Sequence, residues 1–128
     1  MKFSRQRQQI LDYVKSVKTH PTAETVYKKV RDDNPNISLG TVYRNLDKLS
    51  EEGLITRIKI ANQKDRFDGD VIPHSHAICE KCGKVIDVYT CNLDSIDKFV
   101  ENNIHCKVLS HDIIFNVICP KCNKDGEE

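Results

Sequence analysis

The chain has no tryptophan, one methionine, and only four prolines and five glycines in 128 residues. So little proline and glycine excludes a collagen-like or low-complexity disordered chain. No window approaches 18 consecutive apolar residues, which excludes a membrane-spanning helix. The opening stretch MKFSRQRQQI lacks the apolar core of a secretion signal, so a cytoplasmic protein is expected. Net charge is also nearly absent, at +1.

That small net charge conceals two opposed halves. Residues 1–66 carry 14 Lys and Arg against 8 Asp and Glu, whereas residues 67–128 carry 6 against 11. A basic half attracts a phosphate backbone. The acidic half contains all six cysteines and four of the five histidines, and with them most of the metal-binding groups. In a reducing compartment six cysteines point to metal or redox chemistry rather than a disulfide scaffold. The expected organisation is a domain over 1–66, a hinge over 67–74 carrying metal ligands, and a second domain over 75–128.

The basic half reads as three helices and a hairpin. Ser4 is positioned to cap a helix burying Ile10, Leu11, Val14 and Val17, and Thr22 caps one burying Val26, Tyr27 and Val30. Ser38 starts a third, with Leu39, Val42, Tyr43, Leu46 and Leu49 on one face and Gly53 as its stop. Its other face carries Thr41, Arg44, Asn45 and Lys48 at helical spacing, a polar stripe with side chains suited to base edges and phosphates. LITRIKI and DRF then form a two-stranded wing. Together these make a winged helix-turn-helix that places its third helix in the major groove of double-stranded DNA. Candidate DNA contacts are Thr41, Tyr43, Arg44, Asn45 and Lys48, although the register of Tyr43 also suits the buried face.

The acidic half reads as a strand, a CxxC knuckle, a strand, a helix bearing Leu93, Ile96, Phe99 and Val100, and a strand entering a second CxxC. The whole chain is thus α+β, a winged helix followed by a small α/β domain. Cys79, Cys82, Cys119 and Cys122 can bring four thiolates to one tetrahedral zinc at about 2.3 Å, a closed structural site. A thioredoxin-like use of either CxxC needs the motif at a helix N-terminus, and neither has that setting. Cys91 and Cys106 stand apart as small buried hydrophobes or spare thiols.

With zinc satisfied by sulfur, His74 and His76 are available for a second metal. Alternate residues of an extended segment point to one side. With Asp68 and Asp87 flanking them, they compose a nitrogen and carboxylate set suited to Fe(II), Mn(II) or Zn(II) rather than Mg or Ca. An enzyme is not expected: a zinc deaminase needs His-x-Glu with Pro-Cys-x-x-Cys, and neither is present.

The order winged helix, RFDGDVIPHSHAICEKCGKVIDVY, helix, ICPKC resembles the ferric uptake regulator superfamily over essentially the whole chain, most closely its peroxide-sensing branch. The resemblance implies a homodimeric, metal-dependent repressor of operator DNA with structural Zn(II). It implies a regulatory Fe(II) or Mn(II) held by His20, Asp68, His74, His76 and Asp87, and hydrogen peroxide as the signal. Oxidation would fall on His20 or His74. Only this resemblance assigns His20, which spacing leaves as a residue flanking a helix. Pro73 and Ser75 stand where iron-sensing members carry extra ligands, so a third metal site is not expected. Aspartate rather than glutamate at Asp87 favours the peroxide branch over an iron-sensing repressor, with zinc and manganese sensors further behind.

Overall fold

The computed structural model describes residues 3–89 and 93–123. It divides into two compact units, Met1–Ile72 and Pro73–Glu128. The division falls inside the segment expected as a hinge. Asp68, expected in that hinge, belongs instead to a wing strand, together with Phe67 of the DRF stretch. No helix among the described residues is long and apolar enough to cross a membrane.

The N-terminal unit comprises α1 (Arg5–Ser16), α2 (Ala23–Val30), α3 (Leu39–Glu51), β1 (Thr56–Ile58) and β2 (Arg66–Asp68). Each helix starts where a hydroxyl can satisfy an otherwise unpaired amide. Ser4 accepts from the Arg7 amide at 3.1 Å, Thr22 from Thr25 at 3.3 Å and Ser38 from Thr41 at 3.1 Å. The end of α3 is a Schellman motif. Gly53, at φ +75°, donates to the Ser50 carbonyl while Leu54 donates to that of Leu49. Val17, expected inside α1, lies just past its end in extended conformation and is half-buried.

Ile10, Val14, Val26, Val42, Leu46 and Leu49 form the centre of one core, completed by Phe67 from the wing. β1 and β2 are antiparallel, and Arg57 of β1 pairs with Asp47 of α3, fastening the wing to the third helix. Gly69 is required by packing: a Cβ there would stand 2.6 Å from Lys15 Cα and 2.8 Å from the Val14 carbonyl oxygen. The chain can leave the wing across the end of α1 only without a side chain at this point.

The C-terminal unit holds β3 (Ser75–Cys79), β4 (Val85–Val88), α4 (Asp94–Ile104) and β5 (Ile114–Val117). β3 is central, antiparallel to β4 and parallel to β5. All five β3 residues are buried, as a central strand requires. α4 forms over the expected apolar pattern, but none of its residues is buried, and Phe99 is 69% exposed.

Candidate metal centres and nucleic-acid surface

The first centre lies where β3 and β5 run into their knuckles. The sulfurs of Cys79, Cys82, Cys119 and Cys122 all lie within 4.8 Å of one another. A tetrahedral zinc with bonds of about 2.3 Å needs sulfurs about 3.8 Å apart, and Cys82 and Cys119 are separated by 3.7 Å. The set therefore fits zinc. Turn geometry presents the sulfurs: Gly83, at φ +76°, donates to the Cys79 carbonyl, and Cys122 and Asn123 donate to that of Cys119.

Backbone amides also adjust the thiols. Cys119 N donates to Cys79 Sγ at 3.3 Å and Cys82 N at 3.5 Å. These donors stabilise the thiolate, the Cys119 amide most, and pull the Cys79 pKa down to about 6. The amide of Cys122 lowers Cys119 in the same way. Cys122 is pushed up to about 12, chiefly by the neighbouring Cys119 side chain. Cys106 is exposed and outside the cluster. Cys91 lies outside the described residues.

A second group of ligand types gathers in the same unit. His76 faces Asp87 across the β3 and β4 register, with Nε2 at 3.4 Å from Oδ1. His74 reaches the same oxygen with Nε2 at 2.8 Å. The two imidazole centroids are 4.6 Å apart. Two nitrogens converging on one carboxylate form a donor set appropriate to a transition metal.

The N-terminal unit contributes a separate pair. His20 Nε2 lies 3.4 Å from Asp68 Oδ2, and the side chains are 2% and 6% exposed. The wing fixes the His20 turn, because Phe67 N donates to the Pro21 carbonyl at 2.9 Å and Arg66 donates to that of His20 at 3.2 Å. His20 has φ +55°. Left-handed backbone at a buried imidazole is strained, and strain of this kind concentrates at functional sites. Asp68 is oriented by accepting from the Asp70 amide at 2.9 Å. The structure thus assembles His20 with Asp68 in one unit, and His74, His76 and Asp87 in the other.

The polar stripe of α3 requires one correction. Asn45 is 7% exposed rather than on the solvent face. Its Oδ1 accepts from Arg7 Nε at 2.7 Å and its Nδ2 donates to the Thr41 carbonyl at 3.0 Å. Both ends of the amide are thereby committed to holding α3 against α1. Arg44 and Lys48 are exposed and Thr41 is half-buried, its hydroxyl accepting from Arg44. Tyr43 is exposed rather than in the core, and its hydroxyl lies 3.4 Å from both carboxylate oxygens of Glu24. Lys64 pairs with that carboxylate at 2.6 Å and holds its pKa below the usual range. Reasoning from the sequence missed Glu24 and Lys64, which are distant in the chain and meet only through the wing.

A family model described as the ferric uptake regulator family matches residues 1–116. The peroxide operon regulator of Bacillus subtilis is 36% identical over 119 residues, covering 93% of this chain and 82% of its own. The peroxide-responsive repressor PerR of Staphylococcus epidermidis is 33% identical over 121 residues, covering 94% and 81%. Among solved structures, the Campylobacter jejuni peroxide stress regulator matches with a TM-score of 0.77 at 33% identity, over 91% of this chain and 88% of its own. The Helicobacter pylori ferric uptake regulator, described as having three functional metal binding sites, matches with a TM-score of 0.82 at 27% identity, over 97% and 83%.

Proposed function

The chain belongs to the ferric uptake regulator family, and on that premise we propose that it is a metal-dependent transcriptional repressor that senses hydrogen peroxide. The convergence of His74, His76 and Asp87 in one unit, with a buried His20 and Asp68 pair in the other, carries this reading. The five side chains together hold one Fe(II) or Mn(II). Because they come from both units, a metal held by all five couples the C-terminal unit to the DNA-binding one and favours the form that fits the operator. The four cysteines hold structural Zn(II), which adds folding energy to a small domain.

Two further features support the repressor reading. Arg44 and Lys48 supply cations on the exposed side of α3, which enters the major groove. The exposed apolar face of α4, with Ile96, Phe99 and Ile104, suits association with a second copy, giving a homodimer that meets two half-sites.

Fe(II) held by these residues would supply the redox chemistry for opening the O–O bond of hydrogen peroxide and would end as Fe(II), since the peroxide takes both electrons from the imidazole; Mn(II) would not readily supply it. One peroxide delivers one oxygen to a ring carbon of His20 or His74, and its second oxygen leaves as water. The altered imidazole is a poorer ligand, the two units uncouple, and the operator is released. The likeness to the Helicobacter pylori regulator favours, as second reading, an iron-sensing repressor. Operator binding by Fe(II)-loaded and Mn(II)-loaded protein, before and after micromolar peroxide, separates the two. Loss of binding only in the iron form is the expected result. Binding that survives peroxide in both forms leaves the iron-sensing reading.

A further inference from the structure

Tyr89 directly follows β4 (Val85–Val88), two residues beyond Asp87. Its ring stacks on that of His74, with centroids 4.8 Å apart and planes inclined by 26°. That spacing is typical of an attractive offset pair. The His74 side chain is 2% exposed, whereas Tyr89 is 57% exposed. The tyrosine therefore stands between one face of the imidazole and solvent.

Face cover matters because oxidants add to an imidazole through its π system, from above or below the ring plane. An approach in the plane meets other groups, including the Asp87 carboxylate at Nε2. We propose that Tyr89 is a positioning residue that covers one face of His74, excluding oxidants arriving from solvent and limiting the share of metal-driven oxidation that falls on His74 rather than His20. The second half of this statement rests on the peroxide-sensor reading; the first does not.

The whole 128-residue, zinc-loaded chain without regulatory metal tests the first half. Singlet oxygen generated by methylene blue and light adds across an imidazole face, and peptide mass spectrometry reports where. Tyr89→Ala should raise the rate at His74 about fivefold, the factor by which a stacked aromatic pair biases a covered state. Tyr89→Phe keeps the ring and should retain the wild-type rate. The exposed His111 should react equally in all three proteins, showing that the fold and the oxidant dose are unchanged. Equal His74 rates in wild type and Tyr89→Ala overturn the cover, as does a Tyr89→Phe protein that behaves like Tyr89→Ala.

The second half is read with Fe(II) and peroxide. The fraction of added oxygen on His74 relative to His20 should rise in Tyr89→Ala and stay at the wild-type value in Tyr89→Phe. An unchanged fraction overturns Tyr89 as the selector. If no histidine of the wild type gains oxygen, the sensor reading and the selector role both fall, while the singlet-oxygen rates still decide the cover.

Discussion

Arg7 donates through Nε to Oδ1 of Asn45 at 2.7 Å, so the first helix grips the third at the step where α3 turns from core to solvent. Asn45 spends its amide nitrogen on Thr41 O one turn earlier. Asn45→Ala removes both bonds and leaves the Arg7 guanidinium without this partner. The bond from Arg7 is part-buried and charge-assisted, and truncating one partner of such a bond costs about 1 to 3 kcal/mol. Chemical denaturation should show a loss in that range for Asn45→Ala, whereas Arg44→Ala, on the exposed side, should stay within about 0.5 kcal/mol of wild type.

Operator binding should respond in the opposite order. Lys48 is exposed and paired only loosely with Glu52, at 3.6 Å, so it can transfer to a phosphate. If it does, Lys48→Ala reduces the salt slope of binding by about one unit. Arg44, where it reads a base edge, should cost about 1 to 3 kcal/mol and relax specificity when removed. Fluorescence anisotropy over a salt series measures both. Unchanged affinity in the double variant would remove α3 as the reading helix.

Local signals were readable in the sequence because they act over one helical turn. Ser4, Thr22, Ser38 and Gly53 cap or stop their helices where the residue pattern places them, and the cysteine spacing announces four thiolates that the fold brings together. Asn45 was misplaced because helical spacing defines a stripe without saying which edge of it meets α1. His20 could not be assigned from spacing, since its value depends on a left-handed turn held by Arg66 and Phe67 some 46 residues later in the chain. Tyr89 gave no signal at all. Its ring stacks on His74 just beyond the end of β4, a contact that no local spacing announces.

The cysteine cluster should show a defined pH response. Cys79, drawn down to about 6, is a thiolate at neutral pH. Its folded value lies below that of an ordinary thiol, about 8.5, so its contribution to the stability of the metal-free unit is present above that value and lost as pH falls through about 6. Cys122, pushed up to about 12, contributes in the opposite sense, fully below the ordinary value and less as pH rises toward 12. Zinc must therefore expel the Cys122 proton near neutrality, and its affinity should fall about tenfold or more for each unit of acidification. Below about pH 6 the fall steepens as Cys79 gains a proton. Competition with a colorimetric chelator measures this, and equal affinity at low and neutral pH would contradict it. Replacing any of the four with Ser should lose the zinc and unfold the C-terminal unit, while Cys106→Ser should keep both.

The site of oxidation tests the five-residue ligand set. If His20, Asp68, His74, His76 and Asp87 hold one Fe(II), the oxidant is produced beside ligand imidazoles and is consumed before it diffuses away. A gain of one oxygen should then map to the peptide containing His20 or to that containing His74, and Mn(II)-loaded protein should show none. Cys106, exposed and outside both ligand groups, should remain unmodified at the same peroxide dose. Asp87 serves both histidines through one oxygen, at 2.8 Å and 3.4 Å. Asp87→Glu adds one methylene and moves that oxygen, so metal-dependent operator binding should persist while the oxygen gain and the loss of binding after peroxide both diminish. Oxidation appearing equally with manganese, or falling on Cys106 first, would remove the peroxide-sensor reading and leave the iron-sensing one.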